Sequence, residues 1–207
     1  MNKSLKIVLN VALMAIIVFL SILVYESIMH PVRFGQMLES RRVAVISNLK
    51  DIREIQKYYR QNNGSYANDF ASLLAFAEEG KIPLVRIVPD PTDSTHTRSI
   101  SDTIGYISVK DSLFGRRENF KLSDIPIVPY SNNVQFELKA DTLERSGIRV
   151  YVFEVKTLNV NFLVNGMDKY RQDLINLNNK AEQLDKYPGL KVGSLTEVTT
   201  DGNWENL

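Results

Sequence analysis

The sequence predicts an α+β protein with an N-terminal transmembrane helix and an amphipathic helix packed on an antiparallel β-sheet. Three observations carry this. Ile7 to Tyr25 is a 19-residue run without a charge, broken only by Asn10 and Ser21. Leu38, Val45, Leu49, Ile52 and Tyr59 repeat at helical spacing. Val134, Phe136, Leu138 and Ala140 alternate with polar residues, and Ile148 to Val155 is rich in β-branched and aromatic side chains. The expected organisation is a short cytoplasmic tail and transmembrane anchor over 1–30, then one extracytoplasmic α+β domain over 31–207.

At 1.5 Å per residue the apolar run spans about 28 Å as a helix, close to the thickness of a hydrocarbon core. A signal peptide is the rival reading. The run exceeds the usual apolar region of such peptides, and Tyr25, Ser27 and Met29 make no small-residue cleavage site, so a retained anchor is expected. Lys3 and Lys6 precede the span and Arg33, Arg41 and Arg42 follow it. Long domains cross largely regardless of charge, so the expected orientation is N-terminus inside with the domain outside, in the periplasm of a bacterium. Asn10 is a candidate for hydrogen bonding to a neighbouring helix. Its place one turn from the basic end equally suits the headgroup level.

Pro31 and Gly35 are expected to interrupt the chain at the membrane exit, with a second helix from Gln36 to Asn62. Its stripe from Leu38 to Tyr59 covers about 80° of arc, interrupted by Gln56, while Lys50, Asp51, Arg53, Glu54, Lys57 and Arg60 fill other positions. Asn62-Asn63-Gly64 is a helix stop. Asn68 or Asp69 caps a short helix from Phe70 to Glu79, closed by Gly80.

Short β-type runs follow at Leu84–Val88, Ile104–Val109 and Ile125–Val128. The segments around Val134–Ala140 and Ile148–Val155 read as an antiparallel hairpin across Asp141 to Gly147, the expected centre of the sheet. Met167 to Leu184 carries a helical stripe ended by Pro188-Gly189. Val192, Leu195 and Val198 suggest a terminal strand before a polar tail whose Trp204 is a packing plug or a contact residue.

Composition narrows function. Net charge is +1 overall, and with Lys3 and Lys6 the only charged residues before Glu26 the remainder is close to −1. That balance argues against nucleic-acid binding, which needs a basic face. The absence of cysteine excludes disulfides, thiolate zinc sites, cysteine nucleophiles and a lipidated N-terminal cysteine. His30 and His96 are the only histidines. Asp93-Ser94-Thr95-His96-Thr97 resembles a nucleophile and base, but needs an orienting carboxylate and an oxyanion site. Asp90, Asp93 and Asp102 match no EF-hand spacing. Gly115-Arg116-Arg117 is a small basic turn able to meet an anionic partner. Phosphate-loop, dinucleotide, nucleophile-elbow and zincin motifs are absent. No catalytic residue, cofactor or metal ligand is expected.

The stretch Leu49 to Leu74, LKDIREIQKYYRQNNGSYANDFASLL, resembles the helix end of type IV pilins and type II secretion pseudopilins. In those families a tyrosine-containing helix leads into an Asn-Gly-x-Tyr turn and a second short helix; Tyr59, Asn63, Gly64 and Tyr66 carry the likeness. The resemblance implies a hydrophobic helix that runs on into an amphipathic half, a pilin-like head, and a structural or assembly role in a cell-envelope complex. No Gly precedes Ile7, and the first acidic residue, Glu26, lies beyond the span. The implied form is a pilin-like protein kept as an uncleaved anchor. The layout is also similar to that of envelope proteins of Bacteroidota, a likeness that implies no activity.

The expected partners are therefore the membrane and either further copies or other envelope proteins. Asn10, Arg116, Arg117 and Trp204 are the candidate interaction residues, and Leu38, Val45, Leu49, Ile52, Tyr59, Gly64 and Tyr66 the fold-defining ones. A membrane-tethered binding module for a peptide, glycan or envelope polymer is the alternative, and a hydrolase a more distant one.

Overall fold

The computed structural model describes residues 3–89, 99–118, 120–145 and 147–205. The chain is α+β and divides into two compact units, Met1–Arg42 and Val43–Leu207. One helix, α1 (Lys3–Asn63), contains the apolar run, Pro31 and the amphipathic stripe without a break. The expected interruption at Pro31 and Gly35 is therefore corrected. Proline removes one ladder hydrogen bond and clashes with the preceding turn, a cost that a long helix can absorb locally.

In the first unit every large apolar side chain from Ile7 to Ile28 is exposed, at 50–70%. This stretch is long and apolar enough to cross a membrane. Ser21 satisfies its hydroxyl on the carbonyl of Ile17 at 2.8 Å, so it adds little polarity to the surface. Leu38, the first residue of the stripe, is half-buried in this unit.

In the second unit α1 is a core helix. Val45, Leu49, Ile52 and Ile55 are completely buried, which widens the expected stripe to include Ile55. Tyr59 is half-buried and meets Phe76 edge-on, with ring centres 5.2 Å apart. Gly64 takes φ +80°, and its amide donates to the Arg60 carbonyl at 2.8 Å, ending the helix as the sequence indicates. Tyr66 then turns inward onto Phe153, ring centres 4.6 Å apart. Asp69 caps α2 (Phe70–Glu79) by accepting from the Ser72 amide at 2.7 Å.

Among the described residues there are two sheets rather than one. β1 (Lys81–Pro89) and β2 (Ser99–Ser108) form an antiparallel pair. The expected strand end at Val109 instead opens α3 (Val109–Phe114), capped by Ser108. Ile125–Val128 is not a strand: a 3-10 turn (Leu122–Asp124) precedes it and a single bridge joins Ile127 to Gln135. Ile125 and Val128 are buried there as loop side chains, which explains their apolar character.

The second sheet has the order β3-β4-β5, antiparallel throughout, with β3 (Glu137–Arg145), β4 (Ile148–Leu158) and β5 (Gly189–Gly193). The hairpin is present, but pairing continues to Arg145–Ile148, so the expected Asp141–Gly147 loop is mostly strand. Between β4 and β5 lie α4 (Asn159–Leu163), a 3-10 turn (Asp168–Tyr170) and α5 (Arg171–Gln183). The terminal strand ends at Gly193, earlier than Leu195 and Val198 suggest. Gly193 has φ +73°, and a Cβ there would lie 2.2 Å from the Phe153 carbonyl oxygen, so only glycine permits this approach and turn.

Candidate interaction surfaces

Among the described residues, four surfaces and one groove are available for partners or are held by partners within the chain. The first is the exposed apolar part of α1, in which Asn10 is also exposed. Just beyond it, Arg33 pairs with Glu26 at 3.2 Å and lies 5.8 Å from the Tyr25 ring centre. Tyrosine and arginine at a span's end suit the boundary between hydrocarbon and headgroups.

The second is the basic turn. Arg117 grips Asp51 with both nitrogens, Nη1 to Oδ2 at 2.6 Å and Nη2 to Oδ1 at 2.8 Å. Its guanidinium also lies 5.4 Å from the Phe114 and 5.6 Å from the Phe120 ring centre, and those rings stack. This pairing raises the Arg117 pKa above its usual value, chiefly through the Asp51 hydrogen bonds. Asp51 is buried rather than part of a solvated charged face. Arg117 is thus occupied within the chain, whereas the Arg116 side chain is exposed.

The third is the C-terminal tail. Gly193 donates to the Asp201 carbonyl at 3.0 Å, and Asn203 exchanges hydrogen bonds with Lys191. Arg53 Nη1 holds both Glu205 oxygens, at 2.9 and 3.0 Å. The Gly202 amide and then Arg53 hold the Glu205 carboxyl below the usual carboxylate range. Trp204 is half-buried against Gly202, where a Cβ would lie 2.3 Å from the indole ring, and its Nε1 is buried without a hydrogen-bond partner among the described residues.

The fourth is the β1–β2 pair, whose sequence reads only as strands. Its register shifts between Leu84 and Val85, leaving Ile104 as the extra residue of a bulge. Residues paired across an antiparallel ladder share a face. Leu84, Val88 and Ile100 therefore share one face and Val85, Ile87 and Tyr106 the other. Ile87, Ile104 and Tyr106 are 73%, 61% and 68% exposed. Contiguous exposed apolar surface of this kind marks interaction sites. The usable signal in the sequence is the adjacent apolar pairs of β1, Leu84–Val85 and Ile87–Val88, which cannot both face one side of a strand.

A groove of about 450 Å³ between α4 and α5 is lined by Val160, Val164, Met167 and Leu174, with Asp168 and Arg171 among its polar groups. Among the described residues no group of three or more His, Asp or Glu is placed to hold a metal ion. His96, Asp90 and Asp93 lie outside the described residues. Asp102 pairs with Arg86 at 3.4 Å on the exposed β1–β2 ladder. Compared with known proteins, the chain matches no family model, no curated sequence and no solved structure.

Proposed function

We propose that this chain is a single-pass, membrane-anchored, pilin-like structural or assembly subunit of a cell-envelope complex. Its N-terminus lies inside, its C-terminal domain lies in the periplasm, and it acts by protein–protein packing. The observation that carries this reading is the dual character of α1. Its N-terminal part exposes sixteen large apolar side chains from Ile7 to Ile28, and its C-terminal part is a core helix of the head. At about 1.5 kcal/mol for each side chain removed from water, burying those sixteen in lipid is worth on the order of 20 kcal/mol. A helix anchored in this way fixes the head to a surface and leaves its loops and strands for partners.

The anchor is tested by alkaline extraction and protease access in spheroplasts. The chain should stay with the membrane pellet, and external protease should digest residues after Arg42. Release into the alkaline supernatant, or a protected head, would overturn the anchor or its orientation. A membrane-tethered binding module is the second reading, favoured by the α4–α5 groove with its apolar lining and few polar groups.

A further inference from the structure

The central strand β4 pairs with β3 from Lys156 back to Ile148, but with β5 only over Glu154–Leu158. Ile148 to Val152 therefore extend past the end of β5 with one side unpaired. Two contacts fix which peptide groups face that side. The amide of Ala140 donates to Asn68 Oδ1 at 2.9 Å, and that of Thr142 to Asp141 Oδ1 at 2.7 Å, so both point away from β4. Thr142–Tyr151 and Glu144–Arg149 are then non-hydrogen-bonded pairs, and the N–H and C=O of Arg149 and Tyr151 point outward. Among the described residues no hydrogen bond reaches those groups.

Parts of the outer edges of β3 and β5 are covered. Asn68 and Asp141 occupy outward amides of β3, and the tail is stitched along β5 through Asp201 and Asn203. An open edge is a template for another strand, and proteins ordinarily cover such edges.

We propose that the Ile148–Val152 edge is a homotypic interface, in which β4 of one copy pairs antiparallel with β4 of a second about a two-fold axis at Val150. The sequence is self-complementary in this register. Arg149 faces Tyr151 of the second copy and Tyr151 faces its Arg149, so the outward groups form four hydrogen bonds and the guanidinium meets an aromatic ring. Val150 meets Val150, and Ile148 meets Val152. Centring the axis on Arg149 would oppose two like charges. Centring it on Tyr151 would place Phe153 opposite Arg149, pushing the added strand toward the end of β5. A closed two-fold contact uses the same patch on both copies and stops at two. The pairing deepens the proposed packing role, resting on it for the membrane tether that raises the effective concentration of the copies.

The chain has no cysteine, so single-cysteine variants report cleanly. At the axis the two Val150 Cα atoms would be about 4.5 Å apart, a separation a disulfide can bridge. The two Ile148 Cα atoms would be about 13 Å apart or more, beyond its reach. Full-length Val150→Cys, oxidised in isolated membranes, should form a covalent dimer at least tenfold more than Ile148→Cys, and adding Tyr151→Pro should abolish it. Equal cross-linking of both cysteines, or none at Val150→Cys, overturns the pairing. Hydrogen exchange on the unsubstituted chain provides a second readout: slow Arg149 and Tyr151 amides support it, and fast exchange at both overturns it. Alkaline extraction of the same membranes reports the anchor separately, so loss of the dimer is distinguishable from loss of the tether.

Discussion

Gln56 closes both backbone hydrogen bonds of a single residue: its Oε1 accepts from the Ala67 amide at 2.9 Å and its Nε2 donates to the Ala67 carbonyl at 2.8 Å. Both residues are buried. A side-chain amide therefore does for the turn after α1 what a neighbouring strand does in a sheet. Gln56→Leu keeps the volume but leaves the N–H and C=O of Ala67 unpaired, at a cost of about 2–4 kcal/mol. Thermal unfolding should fall by roughly 5–10 °C. Gln56→Glu keeps the acceptor but turns an oxygen toward the carbonyl, and should regain stability as pH falls and the carboxyl becomes a donor.

The Asp51–Arg117 pair should respond asymmetrically. The Asp51 side chain is 9% exposed and that of Arg117 45%. Arg117→Ala strands a buried carboxylate, an outcome worth about 1–3 kcal/mol after allowing for the arginine's hydration. Asp51→Ala leaves a guanidinium that water can solvate and should cost less. Arg117→Lys should fall between, because an ammonium cannot reproduce the two-point grip. Denaturant unfolding of the three variants checks the order; an equal loss for both alanine variants would contradict it.

Tyr187 should contribute to the loss of stability at alkaline pH. Burial first, then Glu137 and Glu154, push its pKa from 10.0 up to about 12. The unfolded chain releases this proton near pH 10 while the folded one retains it, so stability falls as pH rises between those values. Tyr187→Phe should flatten that part of the stability profile. A spectroscopic titration should show one tyrosine ionising late.

The tail clamp responds to acid. With its pKa depressed in the folded state, Glu205 contributes stability above the unfolded value of about 4.5, and this is lost as pH falls through the lower folded value. Arg53→Ala should weaken the clamp at neutral pH, seen as faster exchange of the Gly193 and Asn203 amides. Glu205→Gln should remove most of the acid dependence of that exchange.

What was readable in the sequence was what local physics determines. The apolar run, the buried stripe through Val45, Leu49 and Ile52, the Gly64 stop, the Asp69 cap and the β3–β4 hairpin each follow from periodicity or from a residue's backbone preference. Gln56 reads as an interruption of the stripe because its partner residue, Ala67, lies 11 residues away, in the following turn. Asp51 and Arg53 read only as charges beside the stripe, because their partners Arg117 and Glu205 lie 66 and 152 residues away. Such pairings have no spacing rule. The Ile125–Val128 run misled for a related reason: a short buried apolar loop and a buried strand carry the same pattern.

The adjacent pairs Leu84–Val85 and Ile87–Val88 put apolar side chains on both faces of the β1–β2 ribbon, so neither face is wholly polar despite the Arg86–Asp102 pair. A solution of the isolated head should therefore behave like a solution of a mild amphiphile, clear when dilute, losing soluble protein as concentration rises, and cleared again by detergent. Replacing Ile87 and Tyr106 by threonine would raise that limit on one face only. Serine at Ile100 together with these would be needed to relieve both, making solubility a direct measure of how two-sided this ribbon is.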